Sequence, residues 1–186
     1  VKSETDARQT MYRFNIHKPT QAVSKLFEND RFEFRVQLSP DGKLIKRVFG
    51  FERPRGIDVY EYKDGKPINP EKPEIAFPET YIWDVIPEPG NNSLVWVNTE
   101  KYGLISWNPQ QKDRWETWGD FKGAQNMAAL WGDNYLVVIV KGRGLYLVDR
   151  RNRNAPVQQI ACNFIGGDRG AIQNFKAIYI DQEDNL

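Results

Sequence analysis

A chain of 186 residues is long enough to bury a sizeable core and short enough to form one domain. Forty per cent apolar and 13% aromatic residues exclude a disordered chain, and 26 basic residues against 25 acidic ones, net +1, exclude a global pull toward nucleic acid or an anionic membrane. A single cysteine, Cys162, and a single histidine, His17, exclude an intramolecular disulfide and any metal site built on His and Cys.

In chain order, "TMYRFN" at 10–15 reads as a β run ending on Asn. Gln21 to Phe27 is the one stretch with a helical reading, a turn or two at most. Phe34, Val36 and Leu38 alternate as in a half-buried strand, Pro40-Asp41-Gly42 turns the chain, and "KLIKRVFGF" follows. A basic loop with Arg53 and Arg55 then leads to Gly56-Ile57 and a further β run. The segment 63–79 carries Pro67, Pro70, Pro73 and Pro78, which fits a long connection with at most one edge strand. The same sequence of parts then returns. Tyr81 to Ile86 precedes the turn Pro89 to Asn92, and "SLVWVN" leads through Lys101-Tyr102 to Gly103-Leu104 and a run ending at Trp107. Met127 to Trp131 precedes the turn Gly132-Asp133-Asn134, and Leu136 to Val140 leads through Lys141 and Arg143 to Gly144-Leu145. Ala177 to Ile180 and the turn Glu183-Asp184-Asn185 open one more copy.

The spacing identifies a repeat. Met11, Ile57, Leu104 and Leu145 are 46, 47 and 41 residues apart, and Leu44, Leu94, Leu136 and Leu186 are 50, 42 and 50 apart. A period in the forties with about four short strands per unit is a propeller-blade signature. The expected fold is therefore all-β, a single propeller-like region over 1–186 with about four four-stranded antiparallel blades. Its units are 1–30 (the second half of a blade), 31–80, 81–123, 124–165 and 166–186 (the first half of a blade). Val1 opens mid-blade and is not Met, as in a processed or excised chain. Two arrangements fit: a fragment of a larger propeller, or a closed four-bladed ring whose ends share one blade and leave no sheet edge open.

"DVIPEPGNNSLVWVNTEKYGLISWN" resembles the two-component-regulator propeller repeat of bacterial hybrid histidine kinases and related proteins. "AIYIDQEDNL" resembles the first half of such a repeat and "TMYRFNIHKPTQAV" the second half, while Asn98-Thr99 stands where Gly-Thr is usual. The resemblance implies a seven-bladed propeller, for which this chain has too few residues, serving as the periplasmic sensor part of a signalling protein. A chain without disulfides also fits the cytoplasm. Such a sensor has the possibility of dimerising through its parent protein.

Signals for catalysis are poor. His17, in "NIHKP", reads as a turn residue, and no G-x-S-x-G elbow accompanies it. "SPDG" and "QEDN" resemble calcium-loop fragments but sit at tight turns that need Asp, Asn and Gly for their geometry. "GGDRG", Gly166 to Gly170, lacks the Lys-Ser/Thr of a phosphate loop, and "NNS" at Asn91 to Ser93 doubles as a glycosylation acceptor and a turn. No cofactor or metal is expected. No run of apolar residues approaches a membrane span, and no recurring aromatic-basic pattern points to nucleic acid.

One constellation has functional content. The loop before each unit's third strand is basic: Arg8, then Arg53 and Arg55, then Lys101, then Lys141 and Arg143. Gathered on one face of a propeller, such loops would make a ring that favours an anion. The candidate ligand-binding residues are Arg55, Lys101, Tyr102, Arg143 and Trp83. Trp96 and Trp107 read as core, and Trp115 and Trp118 as packing near a rim. The expected function is a non-catalytic module that binds a small anionic or saccharide ligand or a protein partner. The alternatives are an assembly protein docking partner subunits and, less favoured, a propeller lyase or hydrolase.

Overall fold

The computed structural model describes residues 9–13, 24–29, 33–51, 56–64, 66–68, 74–111 and 113–161. These residues contain strands and no helix. β1 (Gln9–Arg13) and β2 (Ser24–Asn29) pair antiparallel. The helical reading of Gln21 to Phe27 is thereby corrected where it overlaps β2. Pairing with β1 satisfies the backbone across the chain, and so long a partner overrides a weak local preference.

The rest forms three antiparallel sheets whose strands pair in chain order, apart from one extra edge strand in the first. The first contains β3 (Glu33–Leu38), β4 (Ile45–Phe51) and β5 (Ile57–Lys63), with β6 (Lys66–Pro67) and β7 (Glu74–Ala76) both paired to β5. The second contains β8 (Ile82–Pro87), β9 (Val95–Thr99), β10 (Gly103–Trp107) and β11 (Trp115–Trp118). The third contains β12 (Asn126–Trp131), β13 (Tyr135–Val140), β14 (Gly144–Asp149) and β15 (Gln158–Ile160). The proline-rich segment thus supplies two short edge pieces rather than at most one. Pro67 lies opposite Tyr62 on that edge, where no further ladder bond is asked of it.

The glycine of the repeat has a local cause. Gly56 immediately precedes β5 and Gly103 opens β10, at φ of 77° and 76°. A Cβ on Gly56 would lie 2.4 Å from the Ala76 carbonyl oxygen, and one on Gly103 would lie 3.0 Å from the Phe121 backbone. Both the dihedral and the neighbouring chain require glycine.

The sheets are stacked face to face, and the middle one is covered on both sides. Val95, Val97, Ile105 and Trp107 pack on Phe49, Phe51, Ile57 and Val59 of the first sheet. Trp96, Leu104 and Trp118, one residue out of phase, pack on Ala128, Leu136, Val138 and Val148 of the third. Successive strand residues point to opposite faces, so a strand inside a stack is apolar without alternation. β9 is buried throughout for this reason.

The residue after the repeat glycine recurs as a packing position. Ile57 belongs to the core between the first and second sheets, and Leu104 to the core between the second and third. Leu145 packs with Val137 and Ile139 on the far face of the third sheet. All three are buried. The tryptophans follow the sequence reading. Trp96 and Trp107 are core, and Trp118 is buried with its indole N–H donating to Ser106 Oγ at 2.9 Å. Half-buried Trp115 packs on Phe77 and Tyr102. The first strands of the three sheets, β3, β8 and β12, lie side by side with β8 between the other two.

Candidate functional site

The connection from β9 to β10 is held by its neighbours' backbones. Glu100 N–H donates to the Tyr81 carbonyl at 3.0 Å, and Lys101 N–H donates to Thr80 Oγ1 at 3.0 Å. Gly123 N–H donates to the Glu100 carbonyl at 2.8 Å, and Lys141 N–H to the Gln125 carbonyl at 2.9 Å. The segments that enter β8 and β12 are therefore stitched to the loops that leave β9 and β13. Tyr81, Trp83, Lys101, Tyr102, Lys141 and Arg143 come to one end of the second and third sheets.

Of the residues expected from sequence, Lys101 and Tyr102 form one cluster. Lys101 Nζ lies 5.1 Å from the Tyr102 ring centroid and 3.8 Å from Glu79 Oε1. The Tyr102 hydroxyl donates to the same Glu79 oxygen. That donation, with the nearby Lys101 charge, holds the Glu79 carboxyl below its usual range. Hydrogen bonding with Tyr102 and the attraction of Glu79 raise the Lys101 ammonium in turn. Sequence reasoning missed Glu79, because it sits in the proline-rich connection 22 residues before Lys101, a spacing with no periodic meaning. Its effect is to cancel much of the field that Lys101 was expected to supply.

Trp83 is the extra residue of a bulge between Ile82, opposite Thr99, and Asp84, opposite Asn98. Its ring stacks on Tyr81 with centroids 6.1 Å apart and planes 17° from parallel, and Tyr81 is 39% exposed. Arg143 and Lys141 are exposed, and no carboxylate among the described residues pairs with either side chain. The Arg143 carbonyl accepts from the Tyr146 hydroxyl at 3.1 Å and from Gln159 Nε2 at 3.0 Å, which fixes the loop and leaves the guanidinium to solvent. Arg55, the remaining candidate, lies outside the described residues, as do Arg8, Arg53, His17, Cys162, Gly166 to Gly170 and the run 177–186.

A second titratable group lies deeper, between β3 and β8. Asp84 accepts from Arg35 Nη2 and from its neighbour's amide, Val85 N–H, both at 2.9 Å, and its side chain is only 7% exposed. Burial pushes its carboxyl up to about 6, against the opposing pull of Arg35. A carboxylate inside the apolar run Ile82 to Ile86 was the available signal.

The arrangement can present cations and an exposed aromatic ring on one surface. No group of three or more His, Cys, Asp and Glu side chains suited to a metal gathers among the described residues. Compared with known proteins, the chain matches no family and no curated relative.

Proposed function

We propose that this chain is a non-catalytic binding module built from propeller-type blades, and that it takes an acidic saccharide on the loop end of its sheets. The blade reading rests on three features: the sheets are chain-order meanders, with β7 an extra edge strand on β5 in the first, the sheets stack face to face, and their first strands adjoin. The resemblance of 84–108 to sensor propeller repeats supports placing the module in a bacterial signalling protein that samples the periplasm.

One observation carries the ligand class. Lys141 and Arg143 are exposed and pair with no carboxylate among the described residues, at the end that also bears the stacked pair Tyr81–Trp83. Unpaired cations attract sulfate or carboxylate groups, and a flat ring packs against the C–H face of a sugar. The Glu79–Lys101 pair makes this a surface with cations on one side, not a full basic ring.

The test is binding of uronic-acid and sulfated oligosaccharides at low and high salt. Affinity should fall as salt rises, because exposed charges are screened beyond ~10 Å at 0.1 M. Lys141→Glu with Arg143→Glu should abolish it, Tyr81→Ala should weaken it, and the urea midpoint should stay in place for both. Equal binding by the double charge variant, or none by the wild type, refutes the proposal.

A further inference from the structure

At the opposite end of the same strands, the second and third sheets part to leave a cleft of about 280 Å³. Its floor is an ionic group assembled from both sheets. Arg150, just after β14, pairs through Nη1 with Glu88, just after β8, and donates through Nη2 to the Gly132 carbonyl at 3.2 Å. The Trp96 indole N–H donates to the other Glu88 oxygen at 2.7 Å. The Arg150 and Glu88 side chains are 10% and 12% exposed. The turns that wall the cleft are closed by backbone bonds, Glu88 N–H to the Leu94 carbonyl at 3.1 Å and Arg150 N–H to the Asn134 carbonyl at 2.8 Å. The cleft is preformed.

Its polar capacity is not used up internally. Arg150 Nε has no hydrogen-bond partner although the side chain is nine-tenths buried and lines the cleft. Buried polar atoms are paired in the great majority of cases, so an unpaired one on a residue that lines the cleft marks a place open to a polar contact. Above the floor, Asn91, Asp133 and Arg151 form the rim and Leu94 supplies an apolar patch.

The charges select the kind of ligand. Glu88 pairs with Arg150, and Asp133 on the rim balances Arg151 in sign, so the lining carries no net charge to draw an ion. It offers acceptors and donors side by side, and a hydroxyl group, donor and acceptor at one atom, satisfies both within a small volume. The volume lies just below the ~300–1,000 Å³ of pockets for drug-sized molecules, which suits one ring and not a chain. We propose that this cleft is a binding site for a neutral polyhydroxylated ligand, a single sugar ring, distinct from the cationic loop end.

The probe is a set of neutral hexoses and N-acetylhexosamines, and the readout is the indole N–H resonance of Trp96, assigned by its loss in Trp96→Phe. A saturable shift is expected with at least one member, unchanged between about 0.05 and 0.5 M salt, because neutral partners are not screened. Asp133→Ala and Arg151→Ala, both on the exposed rim, should each weaken binding about fivefold or more, as for loss of one hydrogen bond to a charged group, with an unaltered fold. The charge reversals at Lys141 and Arg143 should leave it unchanged. No saturable shift with any neutral sugar, or full affinity after both rim substitutions, overturns the proposal. So does a shift produced by sulfated sugars alone, since that would make the cleft an anion site.

Discussion

Asp84→Asn isolates a buried carboxylate whose ionisation the fold resists. Its carboxyl stands at about 6 in the folded protein against an ordinary aspartate value of 3.8, a difference of roughly two, and burial is the main cause. At 1.36 kcal/mol per unit, the folded state disfavours the ionised form by about 3 kcal/mol relative to the unfolded chain, with the attraction of Arg35 already included. The sign follows from proton binding. Between about pH 4 and 6 the folded state holds a proton that the unfolded state has released, so this group's contribution to stability falls as pH rises through that window. Above pH 6 the loss is complete. Asparagine resembles the protonated acid in shape and charge and does not titrate. At pH 7 the variant should therefore match or exceed the wild type in stability, by up to about 3 kcal/mol, and the difference should vanish near pH 4. Urea unfolding of both proteins from pH 4 to 8 at constant ionic strength measures this, and subtracting one curve from the other removes every other titrating group. A difference that stays flat across pH, or a variant less stable at pH 7 by more than about 1 kcal/mol, would show that the Arg35 ion pair outweighs desolvation and that the reasoning is wrong.

Leu104→Ala and Leu145→Ala should each lower stability by about 2–5 kcal/mol in chemical denaturation, with Leu104 at the upper end because both faces of its sheet are covered. Gly56→Ala should cost clearly more than Gly42→Ala. Both residues have positive φ, at 77° and 69°, but an added methyl meets the Ala76 carbonyl at Gly56 and open space at Gly42. Comparing the two unfolding midpoints separates backbone strain from steric conflict, and equal costs would remove the steric argument.

The strands and their chain-order meanders were legible in the sequence. β runs, turn glycines and asparagines act over neighbours within a few residues, so a pattern such as Leu136 to Val140 after Gly132-Asp133-Asn134 carries its own structure. The glycine before Leu104 was visible as a repeat, though its close contact with Phe121 was not. Where local preference was weak, as at β2, the partner strand decided. The site was legible only in half, for the residues one loop brings together, Lys101 and Tyr102. What the sequence could not carry were encounters between residues far apart along the chain: Glu79 with Lys101 across 22 positions, Arg35 with Asp84 across 49, and Glu88 with Arg150 across 62. A charge shows in a sequence as a letter, but its partner, its solvation and therefore its chemistry depend on which surfaces the stacking of sheets brings face to face. Alternation along a strand determined which residues are apolar and where the chain turns; tertiary packing alone decided which cations keep their charge to offer and where a cleft remains.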